Sequence, residues 1–265
     1  MLSLPKLTGL LSLNAQLIPS LTAERLSVTH ALYLTTMTTD LPLTVKVWGD
    51  FACFTRPEFG AERVSYEVMT PSAARGALEA IFWKPEFTWR IREIHVLKPI
   101  QRFSILRNEI NSWQSDRSAR DWARTGEGGY FADDDRAQRH TLCLRNVAYI
   151  IEADIVLKPH ANAHPAKYRD QFRRRVTRGQ CHHQPYLGTR EFSAFFAEPE
   201  ADDRPINRSD ELGLMLLDME FVVDSDVAIE YLTHDSSGAK VVRGKAQPKF
   251  FRASLERGVL RVPQS

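Results

Sequence analysis

Apolar and polar residues alternate over LTVKVWGDFACF (43–54), the period of a half-buried strand, with Gly49 placed for a bulge or bend. The period then lengthens in TPSAARGALEAIFW (70–83). Ala74, Ala77, Leu78 and Ile81 recur at i, i+3, i+4 and i+7, predicting a helix with a single core stripe. Thr70 suits its cap, Pro71 its first turn, and Pro85 lies just past its end, while Arg75, Glu79 and Phe82 share another face. Alternation returns in FTWRIREIHVLKP (87–99) and again in TLCLRNVAYIIEADIVL (141–157). Between these strands, residues 107–140 are polar, with GEGGY in the middle, and read as a long mobile loop. A second helix is predicted over PAKYRDQFRRRVTRG (165–179), where Tyr168, Phe172 and Val176 lie at i, i+4 and i+8 and Gly179 supplies the stop. Residues Tyr186 to Phe196 read as a further strand.

The order β-α-β-β-α-β is that of a ferredoxin-like unit, so the fold class expected is α+β. From Pro205 onward, GLMLLDMEFVV, VAIEYLTH and KFFRASLERGVLRV predict a small antiparallel sheet appended to it. Residues 1–36 are apolar but broken by Pro5, Gly9, Asn14 and Pro19, which suits neither a signal peptide nor a membrane span. Met37 stands just before the first strand and reads as the natural start, with a flexible extension ahead of it. The expected division is therefore 1–36 extension, 37–204 ferredoxin-like domain and 205–265 β-sheet domain.

Charge changes this picture more than composition does. The chain carries a net charge of only +2, yet Lys158–Arg190 holds eight Lys/Arg and one acid, a local net of +7. The next stretch, Glu191–Asp226, holds eleven acids and two arginines, a net of −9. One face for a polyanion and another that repels it is one reading; two solvated surfaces adjoining in sequence is the other. Cys53, Cys143 and Cys181 are odd in number and widely spaced, which argues against a disulfide framework and suits the reducing cytoplasm.

Three segments together carry a family resemblance: VWGDFACFTRPEFGAERVSYEVMTPSAARGALEAIFWKP, then IHVLKPIQ, then YLGTREF. In this order and spacing the chain resembles the RAMP-type endoribonuclease of type I-C CRISPR systems, the Dvulg-subtype member of the fifth Cas protein family. The resemblance runs from about Leu43 to near the C-terminus. It implies a ferredoxin-like (RRM-like) RAMP domain that cuts precursor CRISPR RNA beside its repeat hairpin without metal. It also implies retention of the 5′ handle within an interference complex of other subunits, with duplex DNA as a further possible partner.

Such a cut needs a group to accept the 2′-hydroxyl proton, a group to stabilise charge on the phosphate, and a grip on the strand. Family members place a tyrosine at the end of the first helix, in a pattern like AIYWKP, and a Lys-His pair before the second helix's aromatic residue. The tyrosine position is Phe82 here, and the pair maps onto Ala166 and Lys167. The resemblance thus implies either catalysis by Lys167 with His164 or Tyr168, or a subunit that mainly binds. Lys167 falls in the first turn of its helix, where free N–H groups and the positive dipole end favour phosphate. Arg173, Arg174, Arg175 and Arg178 form a cationic surface suited to a nucleic-acid backbone. Arg75, Phe82 and Lys84 are expected to line the same cleft, with Phe82 stacking on a base or simply packing. His182 and His183 fall in a loop that contacts RNA in the family, where Gly179 and Gly188 would let backbone approach phosphate. His160, His164, Cys181, His182 and His183 raise the question of zinc. Pro165 interrupts the i, i+4 pair and no CxxC or HExxH occurs, so neither metal nor cofactor is expected.

Overall fold

A computed structural model describes residues 41–112, 115–224, 226 and 229–264. The extension expected over 1–36 and the start at Met37 lie outside the described residues. The chain from Pro42 onward forms an α+β unit built, among the described residues, on one mostly antiparallel sheet with three helices.

Strand β1 (Leu43–Ala52) buries Leu43, Val45 and Val47 and pairs with β5 on one side and β6 on the other. Gly49 is not at a bulge, for the register runs through it unbroken. A β-carbon there would stand 2.8 Å from Leu187 and 3.0 Å from the Ser193 carbonyl, so the glycine is required by a loop crossing over the strand. After the two-residue β2 (Arg63–Val64), helix α1 (Pro71–Ile81) starts as its sequence dictates. Thr70 Oγ1 accepts from the Ala73 N–H at 3.2 Å, and Ala74, Ala77, Leu78 and Ile81 are buried. Phe82 turns extended and ends the helix.

Strand β3 (Phe87–Val96) buries Phe87, Trp89 and Ile91 and pairs with β5, its register shifting once between Ile91 and Glu93. Residues 107–140 are not a loop. They contain the last four residues of β4 (Arg102–Ile110), helix α2 (Asp116–Thr125) and the start of the 22-residue β5 (Arg136–Leu157). β4 and the first part of β5 project as a two-stranded arm, solvated on both faces. With so little to bury, its sequence lacks the apolar alternation by which a strand is recognised. Helix α2 buries no residue and ends on Gly126 at φ 70°.

Helix α3 (Pro165–Thr177) buries Tyr168, Phe172 and Val176, as its spacing predicts, and Arg169 in addition. Gly179, at φ 61°, follows its end. The strand expected over 186–196 is reduced to β6 (Phe195–Ala197). The preceding residues form the loop over Gly49, closed by a Tyr186–Ser193 bridge and a Leu187 N–H donated to the Phe192 carbonyl. Gly188 at φ +88° makes the turn that a strand could not.

The C-terminal strands are β7 (Asp210–Val223), β8 (Ile229–Asp235), β9 (Gly238–Glu256) and β10 (Val259–Arg261). β10 pairs with both β9 and β3, giving the order β6-β1-β5-β3-β10-β9-β7, with β8 on the far part of β9. Helix α1 packs on β3 and β7, and α3 on β5, β1 and β6. Between helices and sheet lies an aromatic core of Phe82, Phe87, Trp89, Tyr168 and Phe172, with neighbouring ring centroids 4.8–5.5 Å apart. No described helix is long and apolar enough to cross a membrane.

Candidate nucleic-acid interface

The start of α3 is set by His164 and Pro165. His164 caps the helix, its Nδ1 accepting from the Ala166 N–H at 3.3 Å, so one ring nitrogen is committed to the backbone. Lys167, in the first turn, is exposed, and its ammonium has no ion pair or hydrogen bond among the described residues. Tyr168 is buried against Phe87, with ring centroids 5.4 Å apart. Burial pushes its phenol up, and the nearby Glu86 carboxylate adds to the shift, so the hydroxyl keeps its proton near neutrality.

Lys167 and Tyr168 line a cavity of about 480 Å³, closed by Glu86 from the α1–β3 turn, His160 from the β5–α3 loop, and His234 and Asp235 at the end of β8. This volume falls in the range of small-ligand sites, roughly 300–1,000 Å³. Two polar atoms among the lining residues, Glu86 Oε2 and His160 Nε2, are sealed from solvent without a hydrogen-bond partner. An orphaned buried polar atom costs about 1–3 kcal/mol, a cost borne here beside an open cavity. His164 does not line this cavity, although it is three residues from Lys167.

Arg75 does not join Lys167. Its Nε and Nη2 donate to Asp218 at 2.8 and 2.7 Å, and its Nη1 to Glu79 at 2.8 Å. Two carboxylates therefore satisfy its charge, and it ties α1 to β7 in a separate cleft with Trp89 and Lys249. Phe82 is 1% exposed, packed on Phe87 and covered by the Arg175 guanidinium 5.4 Å from its ring. With both faces occupied, it offers no surface on which a base can stack. Its neighbour Trp83 is 42% exposed, beside Lys84, and meets His234 edge-on at 5.4 Å.

The four arginines of the basic run, Arg173, Arg174, Arg175 and Arg178, divide. Arg175 points inward and donates Nη1 to the Ile81 carbonyl at 3.0 Å, capping the C-terminus of α1 instead of facing a backbone in solvent. Arg173 pairs with Asp170 at 3.4 Å. Arg174 and Arg178 are exposed, and no carboxylate neutralises either among the described residues. The loop after α3 completes the cap of α1, with the His182 and His183 N–H groups both donating to the Ala80 carbonyl, at 2.8 and 3.3 Å. This leaves both imidazoles at the surface, 5.7 Å apart. Gly179 has open space where a β-carbon would stand. Gly188 does not: a β-carbon there would lie 2.0 Å from the Cys53 carbonyl, so its close approach is to the protein's own backbone and not to phosphate.

The group among the described residues that brings three ligand atoms within 4.8 Å is Glu93, His95 and Glu152, not the histidines around α3. There His95 Nε2 bridges the carboxylates at 3.2 and 3.5 Å, and Arg261 already shares Glu93 at 3.3 Å.

Arg174 and Arg178 were legible as candidates from their charge on a helix; Lys167, Tyr168, His182 and His183 became candidates through the family resemblance. His234 and Trp83 were not singled out, and His160 was weighed only as a metal ligand. His234 reaches the site through the pairing of β8 on β9, which no local pattern announces.

Comparison with known proteins agrees with this architecture. The Cas5d family model, described as CRISPR-associated protein (Cas_Cas5), matches residues 43–263. A Thermus thermophilus protein named CRISPR pre-crRNA endoribonuclease Cas5d is 49% identical over 221 residues, 83% of this chain and 91% of that one. A Mannheimia succiniciproducens protein of the same name is 41% identical over 229 residues, 82% of this chain and 92% of that one. Among solved structures, a functionally uncharacterized protein from Streptococcus mutans superposes with a TM-score of 0.54 at 19% identity, covering 84% of this chain and 92% of that one. A CRISPR-associated protein does so with the same TM-score and coverage at 20% identity. The two structures share the fold; the sequence relatives and the family match carry the assignment. The chain belongs to the Cas5d family of CRISPR-associated proteins.

Proposed function

We propose that this chain is a metal-independent endoribonuclease that cuts precursor CRISPR RNA at its repeat hairpin and then keeps the 5′ handle within a type I-C interference complex. The observation that carries this reading is Lys167, an ammonium without a counter-ion among the described residues on the wall of a nucleotide-sized cavity, in a family whose relatives are named pre-crRNA endoribonucleases. The 2′-oxygen attacks the adjacent phosphorus in line, the P–O5′ bond breaks, and a 2′,3′-cyclic phosphate and a 5′-hydroxyl result. Lys167 offsets the extra negative charge on the phosphate as it develops. Tyr168, held protonated, is placed to donate a hydrogen bond and not to act as base. His164 orders the first turn that carries Lys167.

The order β6-β1-β5-β3, with α1 and α3 packed against it, supports reading the first half as a ferredoxin-like RAMP domain. The chain from Pro205 onward is then an appended β-sheet domain joined through β10. We place the protein in the cytoplasm, in keeping with three free cysteines among the described residues.

Arg174 and Arg178 are the backbone grip in this reading. Replacing both by alanine is expected to weaken repeat-RNA binding and to lower the slope of log K against log[salt] by about 0.7 per lost phosphate contact. Arg175→Ala, by contrast, is expected to act through stability. Filter binding over a salt series, alongside urea denaturation, separates the two.

The buried phenylalanine at the family's tyrosine position favours a second reading, a non-catalytic subunit that holds the 5′ handle and duplex DNA. Incubating cognate repeat RNA with the protein in EDTA decides between them. A cut at one site with a cyclic-phosphate end is expected. Binding without a cut establishes the second reading, and cutting abolished by EDTA restores a metal.

A further inference from the structure

The cavity that holds Lys167 is closed from the far end of the chain by the β8–β9 turn. Two features of that turn bear on chemistry. Asp235 is turned back on its own loop: Oδ1 accepts from the Ser237 N–H and hydroxyl at 2.8 and 2.6 Å, and Oδ2 pairs with Lys240 at 2.7 Å. Lys240 and then Ser237 hold its carboxyl well below the usual range, so it stays ionised but spent and does not neutralise Lys167. His234 is the opposite case. Its ring is half-buried and held edge-on against Trp83 at 5.4 Å, and neither ring nitrogen makes a hydrogen bond among the described residues.

The other imidazole among the lining residues, His160, has its Nε2 sealed from solvent. His164 lies outside the cavity and spends Nδ1 on the helix cap. His234 is thus the imidazole that lines the cavity beside Lys167 with both nitrogens uncommitted. The residue at the family's tyrosine position is a buried phenylalanine with no proton to exchange. The cleavage reaction still needs an acceptor for the 2′ proton, and neutral imidazole is well matched to that task near neutrality.

We propose that His234 is the general base of this chain, taking the 2′-hydroxyl proton in the cavity it shares with Lys167, and that the β8–β9 turn is therefore part of the catalytic site. The inference rests on the endoribonuclease reading above. The step balances without a further reagent. The 2′-oxygen loses its proton to a ring nitrogen as the O2′–P bond forms, the P–O5′ bond breaks, and the 5′-oxygen takes a proton from water. The imidazolium then returns its proton to solvent. Trp83 fixes the ring edge-on, which makes it a positioning residue.

The test is single-turnover cleavage of cognate repeat RNA in EDTA, with RNA affinity measured separately on a 2′-deoxy substrate at the scissile nucleotide. His234→Ala is expected to cut about 10²–10⁴-fold more slowly while binding RNA within about threefold of the unsubstituted protein. It is also expected to lose the rise of rate with pH that deprotonation of an imidazole base produces, and to regain cutting when free imidazole is added. His140→Ala, an exposed histidine on the β4–β5 arm, is expected to leave cutting unchanged. Cutting by His234→Ala within threefold of the unsubstituted rate, or an equal loss of RNA binding without imidazole rescue, overturns the assignment alone. No cut by the unsubstituted protein overturns the endoribonuclease reading and this role with it. Were His234→Ala to lose its fold by circular dichroism, His234→Gln, which keeps a polar side chain without a titrating nitrogen, carries the same expectation.

Discussion

Lys167→Ala is expected to slow repeat-RNA cleavage by about 10²–10³-fold, the loss seen when one preorganised charge or donor is taken from a phosphate or oxyanion. The side chain is exposed and makes no ion pair among the described residues, so its removal leaves the fold's stability within about 0.5 kcal/mol. A rate defect therefore reports chemistry and not unfolding. Lys167→Arg keeps the charge but not the compact ammonium, and is expected to recover part of the rate. Single-turnover rates of the two variants, with melting temperatures alongside, make the measurement. Unchanged cleavage by Lys167→Ala removes the residue from the mechanism.

Phe82→Ala is expected to cost about 3–5 kcal/mol of stability, the usual range for deleting a fully buried aromatic ring. The site has little room to collapse, because the ring is wedged between Phe87 and the Arg175 guanidinium, themselves tied to β3 and to the end of α1. Deleting it leaves Arg175 over a void and loosens the joint between α1 and α3, on which Lys167 depends for position. Urea denaturation measures the loss directly. A cost below about 1 kcal/mol would mean the ring is not the packing element its burial makes it. Phe82→Tyr tests the family pattern in the same place. Its hydroxyl enters a closed site, so destabilisation of about 1–3 kcal/mol is expected unless the new group reaches a hydrogen-bond partner.

These two residues read very differently from the chain. Lys167 could be singled out because the family motif maps onto it, and its place in a first turn follows from local signals, a proline and a helix start. Phe82 could not be settled, because whether it stacks or packs depends on Phe87 and on Arg175, 93 residues further along. The same division runs through the arginines of the basic run. Their charge was plain, but Arg175 is spent on the Ile81 carbonyl while Arg174 and Arg178 face solvent, and only the approach of α1 decides which. Arg75 was read as a cleft residue for want of Asp218, which β7 brings to it from 143 positions away. In the β4–β5 arm a different limit applies. Strands solvated on both faces have no hydrophobic period, so 107–140 read as a loop although it is ordered by pairing.

Periodicity, caps and stops thus determined both core-packing helices, their buried stripes and the main strands, since each depends on residues within a few positions of one another. The basic stretch around α3 and the family motifs were equally plain in the chain. Only the tertiary structure decided which cations remain without a carboxylate, which glycines face backbone, and that His234 closes the cavity beside Lys167. Those outcomes depend on strand pairing and helix packing between segments far apart in the chain, and pairing partners leave no trace in local spacing.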